Sequence, residues 1–336
     1  MEAKTKRSPT SADVARAAGV SRATVSLVLN EVPDSRIPAA TRDRVLAAVA
    51  ELGYAPNAQA RQLRAGMSRL ILMPLPRFPL GPAMDRVIER LSTQLQSRGF
   101  TLLLHADRDA SGMPGARLWA EQRPAAVLVS ADRCTKASVA LLRSAGTHVL
   151  LTAEQPSPLA ETLIVDQRQI GAAAAGHLCA TGHRRLAALV PAGDLEPLAR
   201  RRFEGMQEVA AAAGAQVEAV LVEQTPEGAA QVADALTRPG GPTAVFTYND
   251  EYGALLHSVL SDRGLSFPGD MALVGADDLP VARYLRPALS SVTIDAEGLA
   301  DRFLLATLTL LGIPAAASPA DPHLLSRPSV VRRGTS

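Results

Sequence analysis

The chain has 336 residues, of which 47% are hydrophobic and 20% charged, a balance that buries a sizeable core and excludes a largely disordered protein. Its 35 basic and 33 acidic residues nearly cancel, but residues 1–68 hold ten Lys and Arg against six Asp and Glu, while the rest holds 25 against 27. No continuous apolar run reaches the roughly eighteen residues of a membrane span. The basic start has no apolar stretch of an export signal, and the two cysteines, Cys134 and Cys179, make no disulfide framework. The expectation is a cytoplasmic protein with a basic head on a slightly acidic body, the head facing a negatively charged partner.

Thr10-Ser11-Ala12-Asp13 reads as a capping box, with Asp13 as the shorter analogue of the usual Glu. Val14, Ala15 and Ala18 line one face of the helix that follows, and Gly19 permits the left-handed turn that ends it. Ser21 caps a second helix with Val25, Val28 and Leu29 as its buried stripe. Its outer face offers Ser21, Arg22, Ala23, Thr24 and Ser26, all small, hydroxylated or basic, as a helix that approaches DNA closely and binds phosphates would be. A third helix is expected over Thr41–Leu52, with Val45, Leu46, Val49 and Leu52 inward, Pro38 near its start and Gly53 at its end. Two short helices joined by a glycine-containing turn form a helix-turn-helix. Beyond Tyr54-Ala55-Pro56, residues Asn57–Arg64 read as a helix too short to stand alone in water, one that orders when it binds.

ADVARAAGVSRATVSLVLN, followed by TRDRVLAAVAELGYAPNAQARQLRAG, resembles the DNA-binding head of the lac-repressor (LacI/GalR) family over residues 10–66. The telling parts are AGVS-x-x-TVS-x-VLN and ELGY-x-PN-x-x-A-x-x-L. The resemblance implies that Arg22 and Ala23 face base edges in the major groove, Arg22 pairing with guanine O6 and N7. It places Thr10, Ser21, Thr24, Ser26 and Asn30 on phosphates. Leu27 also lies on the groove face but departs from the pattern, because many members carry Arg there. In the hinge, the resemblance puts Leu63 as a wedge in the minor groove, Ala60 where paired hinge helices approach each other, and Arg61 and Arg64 on phosphates. Two-fold symmetry then requires an inverted-repeat operator.

From Leu70 the chain alternates short apolar runs with amphipathic helices, the signature of an α/β body with parallel sheets covered on both faces. Strands are expected to begin near Leu70, Thr101, Ala125, His148, Thr162, Arg185, Val217, Ala244, Met271 and Ser290. Helices include Met84–Arg98, Ile170–Thr181, Pro197–Ala213, Gly228–Thr237 and Glu251–Arg263. The resemblance implies two lobes like periplasmic sugar-binding proteins, with the chain crossing near Asp166, Thr293 and Asp321. The expected organisation is a head over 1–56, a hinge and linker over 57–68, and an effector-binding and dimerising body over 69–336. Its first lobe spans about 69–165 and 293–321, its second about 166–292 and 322–336. Ligands in such sheets bind beyond the carboxyl ends of strands, which selects Asp166, Phe246, Asn249 and Asp277. The family pattern adds Arg202 in ARRRFEGM as a ligand residue and matches Asn249 in AVFTYND and Asp277 in VGADD, with Phe246 as an apolar wall. Each also has a plainer reading, as a helix cap or a surface residue. The Pro-rich turn after the first strand departs from the family; Arg77 and Phe78 there are placed facing the cleft.

No phosphate-binding glycine loop, dinucleotide fingerprint or nucleophile elbow is present, so no enzymatic activity and no cofactor are expected. His177, Cys179 and His183 do not converge, since positions two apart on a helix point to different faces, and no metal is expected. The reading is a sequence-specific, homodimeric transcriptional repressor that binds a palindromic operator and answers to a small, sugar-like effector. An architectural regulator with a vestigial cleft and a soluble sugar-binding receptor stand as alternatives, and a C-terminal coiled-coil tetramer is not expected.

Overall fold

The computed structural model describes residues 9–29, 37–54, 68–314 and 328–336, in two compact units, Met1–Ser68 and Arg69–Ser336. In the first unit, helix α1 (Ser11–Ala18) starts on the capping box. The Asp13 carboxylate accepts hydrogen bonds from the Thr10 N–H at 2.9 Å and the Thr10 hydroxyl at 2.7 Å. Gly19, at φ 63°, ends the helix and turns the chain into α2 (Arg22–Leu29). Helix α3 (Ala39–Leu52) begins two residues before the expected Thr41, because Pro38 supplies the cap position. Val14, Val25, Val28, Val45 and Ala48 form the core, with Val20, Leu29, Val49 and Leu52 against it. Leu46 is a correction: it is 47% exposed. The inward stripe of α3 runs through Val45, Ala48, Val49 and Leu52, and Leu46, one residue round from Val45, points away from it.

The second unit is built on two sheets. In the first, the order is β2-β1-β3-β4-β5, all parallel, formed by Leu70–Pro74, Thr101–His105, Ala126–Ser130, His148–Ala153 and Glu161–Ile164 as β1 to β5. The inner strands read as unbroken apolar runs because helices cover both faces: α4 (Pro82–Gln96) and α12 (Ala296–Leu310) on one side, α5 (Gly112–Glu121) and α6 (Lys136–Ser144) on the other. Asp301 ties α12 to α4 by accepting from Arg90 Nε at 2.9 Å and Gln94 Nε2 at 2.6 Å.

The second sheet has the order β11-β10-β9-β8-β6-β7. In chain order these are β6 (Arg185–Pro191), β7 (Gln216–Val222), β8 (Ala244–Phe246), β9 (Ala272–Ala276), β10 (Ser290–Thr293) and β11 (Ser329–Val331), with only β10 and β11 antiparallel. Helices α7 (Arg168–Ala180) and α8 (Glu196–Ala212) pack on one face, α9 (Pro226–Leu236) and α10 (Asp250–Asp262) on the other, and α11 (Pro280–Tyr284) follows β9. The chain passes from the first sheet to the second between Ile164 and Arg168, and returns between Thr293 and Ala296. Asp321 lies outside the described residues. Among these, no helix is long and apolar enough to cross a membrane.

Helices α7 and α8 meet backbone to backbone. A Cβ on Gly171 would stand 1.7 Å from the Arg202 carbonyl oxygen, and one on Gly205 would stand 2.0 Å from that of Arg168. Glycine at both positions fixes how near α8, and with it Arg202, comes to the crossing at Asp166. Gly171→Ala tests this. Alanine gains about 1 kcal/mol in helix propensity, but overpacking against a rigid backbone costs up to about 3 kcal/mol. Chemical denaturation is expected to show a net loss of stability; a neutral or stabilised variant would contradict the close contact.

Asp250, fully buried at the start of α10, has its carboxyl pushed up by burial to about 7. As the pH rises from about 4 toward that value, the unfolded chain releases this proton while the folded chain keeps it, so stability falls with rising pH across that window and levels off above it. Asp250→Asn keeps the shape without the titration. Denaturation at pH 5 and pH 8 is expected to show a smaller loss between the two pH values for the variant than for the parent; equal losses would contradict the assignment.

Candidate DNA-reading face and effector site

In α2 the Ser21 hydroxyl accepts from the Thr24 N–H at 3.1 Å and lies 2.9 Å from the Thr24 hydroxyl. This cap fixes the first turn, which carries no acidic residue and so leaves the positive end of the helix open to a phosphate. With Val25 and Val28 buried at 1% and 3% and Leu27 39% exposed, the helix turns Arg22, Ala23 and Leu27 away from the core, while Thr24 and Ser26 are half-buried at its edge. Thr10 is also half-buried, its hydroxyl engaged by Asp13. Asn30, Ala60, Arg61, Leu63 and Arg64 lie outside the described residues.

In the second unit, four of the five residues singled out as ligand groups carry polar atoms at the carboxyl-terminal side of the strands. Asp277 follows β9 at φ 87°, a backbone region that Asp tolerates better than most residues. It is 7% exposed, and its Oδ1 is buried without a hydrogen-bond partner. Burial raises its carboxyl above the ordinary range, against the pull of Arg202 and Arg86. Arg202, 6% exposed, donates from Nε to Gln167 Oε1 at 3.0 Å and from Nη1 to the Tyr248 carbonyl at 2.7 Å, and its guanidinium stands 4.5 Å from the Tyr248 ring centre. A buried cation and a buried, incompletely bonded carboxylate thus influence each other beside the strand ends.

Asn249 caps α10: its Oδ1 accepts from the N–H groups of Glu251 and Tyr252, both at 3.1 Å. Its amide nitrogen is the atom it has left to offer. Asp166, two residues before α7, accepts from the Arg168 N–H at 2.9 Å and Gln169 Nε2 at 3.1 Å. Phe246 is a correction. It is 1% exposed in the core with Ala188, Ala244 and Val274, because the last residue of β8 still points into the packed face of the sheet, so it forms no wall of a cleft. The aromatic ring in reach of Arg202 is that of Tyr248, which φ 67° swings out of line with β8. The sequence carries no signal for that turn beyond the Asn-Asp that follows.

Asp250 Oδ2 accepts from the Leu279 N–H at 2.7 Å, tying α10 to the loop after Asp277. Its Oδ1 would lie 2.0 Å from a Cβ on Gly275, which explains the glycine in VGADD. Against burial, hydrogen bonds from Arg333 and Arg283 hold the Asp278 carboxyl below its ordinary range; Asp278 therefore braces the loop. In the first sheet, Arg77 is exposed beside Asp132 at 3.9 Å, and Phe78 is half-buried, its carbonyl accepting from Arg108. His177 bonds Ser336 Oγ at 2.8 Å and His183 bonds Thr243 Oγ1 at 2.9 Å, so the two rings serve separate contacts. Cavities of about 480 and 550 Å³ open at the opposite ends of the sheets, around His148 and Glu161 and around Arg185 and Gln216. They are apart from the strand ends that carry Asp277 and Asn249.

Comparison with known proteins agrees with this division. Residues 10–57 match the bacterial regulatory proteins of the lacI family, and residues 175–336 match a periplasmic binding protein-like domain. The HTH-type transcriptional repressor PurR of Vibrio parahaemolyticus is 32% identical over 294 residues, covering 83% of this chain and 85% of that protein. Among solved structures, a CelR–cellobiose complex of a transcriptional regulator is 26% identical with a TM-score of 0.63, covering 98% of this chain and 100% of that one. The Lac repressor bound to ONPG shares the fold, with 24% identity and a TM-score of 0.77 over 98% of this chain and 100% of that one. The chain belongs to the lacI family of bacterial regulatory proteins and is a DNA-binding transcriptional regulator with a two-lobed, periplasmic-binding-protein-like body.

Proposed function

We propose that the protein is a cytoplasmic, non-enzymatic repressor that binds an inverted-repeat operator as a homodimer and changes its grip when a small polar effector, sugar-like in its hydroxyl pattern, enters between the lobes. The head occupies about residues 1–56, the hinge 57–68 and the body 69–336. Arg22, Ala23 and Leu27 meet base edges. Thr10, Ser21, Thr24, Ser26, Asn30, Arg61 and Arg64 meet phosphates, and Ala60 and Leu63 enter the minor groove.

The observation that carries the effector reading is the partnerless Oδ1 of buried Asp277 beside buried Arg202. A hydroxyl both donates and accepts, so one polyol can satisfy Asp277 as donor and Arg202 or the Asn249 amide as acceptor. Asp166 lines the crossing. The cellobiose held by the CelR relative agrees with such a ligand.

Selection of bound sites from random DNA tests the reading face. Arg22→Ala is expected to lose preference at one base pair of each half-site, a discrimination of about 1–3 kcal/mol. Uniform weakening over all sequences would demote Arg22 to a phosphate contact. On the selected operator, a panel of mono- and disaccharides and nucleobases is expected to contain a compound that shifts operator affinity by roughly 5- to 150-fold. Arg202→Ala is expected to abolish that shift and leave ligand-free operator affinity unchanged. A panel without effect, or a variant that responds like the parent, would contradict the effector site.

A further inference from the structure

Among the described residues, Arg86 and Glu154 of the first lobe each bond the second lobe on or beside a residue of the candidate effector site. From the first lobe, Arg86 on α4 donates from Nη2 to the carbonyl oxygen of Asp277 at 3.1 Å, across 191 positions of sequence. Glu154, just past the end of β4, meets Arg201 on α8, with Oε2 and Nε 2.9 Å apart. Arg201 directly precedes Arg202. Successive helix residues point about 100° apart, so α8 offers one arginine to the first lobe and the next to Tyr248. The second bond also belongs to a network: Arg201 donates to Glu204 at 3.0 Å, and Glu204 meets Arg168 at 3.3 Å, at the start of the helix that follows the lobe crossing.

We infer that Arg86 and Glu154 are positioning residues for effector response: together they form a two-point clasp that holds the first lobe against the ligand-bearing elements of the second. Neither residue belongs to the core of its lobe. Arg86 is exposed, and the Glu154–Arg201 pair is partly open to water, with side chains 27% and 48% exposed. Exposed pairs of this kind are individually weak. Weakness suits a clasp that must open and close, because a ligand can shift two states only by the difference in its affinity for them. The coupling is direct at both points. A ligand bonded to Asp277 pulls on the residue whose carbonyl Arg86 holds. A ligand that draws on Arg202 moves the helix turn that holds Arg201. The coupling to an effector rests on the site proposed above; the two bonds that hold the lobes do not.

The test uses the ligand-free full chain, so it reads the clasp whatever the effector is. Fluorophores are placed at exposed positions of the two lobes through Lys136→Cys and Glu227→Cys; the native Cys134 and Cys179 are buried. Labelled chain is diluted into excess unlabelled chain, so that energy transfer reports pairs within one molecule. Arg86→Ala with Glu154→Ala is expected to lengthen and broaden the interlobe distance distribution while the melting temperature stays at the parent value. Arg86→Lys, which keeps a cationic donor, and Glu154→Asp, which keeps the charge, are expected to restore most of the parent distribution where the alanines do not. A doubly substituted chain with the parent's distribution, or conservative variants that behave like the alanines, would overturn the clasp. That outcome would leave the effector site of Asp277 and Arg202 standing.

Discussion

Asp277 is where the demands on this fold meet. A carboxylate placed in the packed region beyond β9, with one oxygen bonded to nothing, is a loss that folding alone would not keep. The neighbourhood nonetheless holds it in place. Gly275 leaves room for the Asp250 carboxylate, Asp250 anchors the Leu279 N–H, and Asp278 is braced by Arg333 and Arg283. The loop is thus fastened on both sides of the residue with the unsatisfied oxygen. Arg202 reaches the same region because Gly171 and Gly205 let α7 and α8 touch backbone to backbone. What sets Asp277 apart from other buried polar groups is its place: a positive φ and an incompletely bonded carboxyl meet beyond the carboxyl end of a strand, within the electrostatic reach of a buried arginine, which is the combination a binding site requires.

The two units solve different problems with similar means. In the head a few side-chain caps and one left-handed glycine fix three short helices around a core of valine and alanine, small enough to leave most of α2's surface for reading DNA. In the body the groups proposed to meet a ligand gather on the second lobe and at the crossing, and the chain passes between the two sheets more than once, each sheet keeping its own core. The bonds from Arg86 and Glu154 are the small forces that bias the angle between the lobes. They act on Asp277 and next to Arg202, the residues a ligand would engage.

Much of this was legible in the sequence, and the reasons are physical. The head motif combines a cap, a turn glycine and a helix stripe at fixed spacing, and each has a local cause. The expected strands correspond to ten of the eleven that form the two sheets, because parallel strands covered on both faces read as apolar runs. The errors fell where tertiary context decides. Leu46 looks inward by residue type, but the period of α3 gives its place to Ala48. Phe246 sits at a strand end, where the rule for ligand positions applies, yet the pleat turns it into the core. Tyr248 is not among the residues expected at the site because nothing local announces its positive φ. The bond from Arg86 to Asp277 joins residues 191 apart, and no periodicity carries that information.

The central claim is that Asp277 keeps an unsatisfied carboxylate for a ligand at a cost to the empty protein. The direct measurement is the stability of ligand-free Asp277→Asn by reversible chemical denaturation at neutral pH. Asparagine fits the same backbone and volume without the buried charge. The account predicts a variant at least as stable as the parent. A loss of stability comparable with breaking a satisfied buried hydrogen bond, about 1–3 kcal/mol, would show that Asp277 serves the fold and would contradict the account.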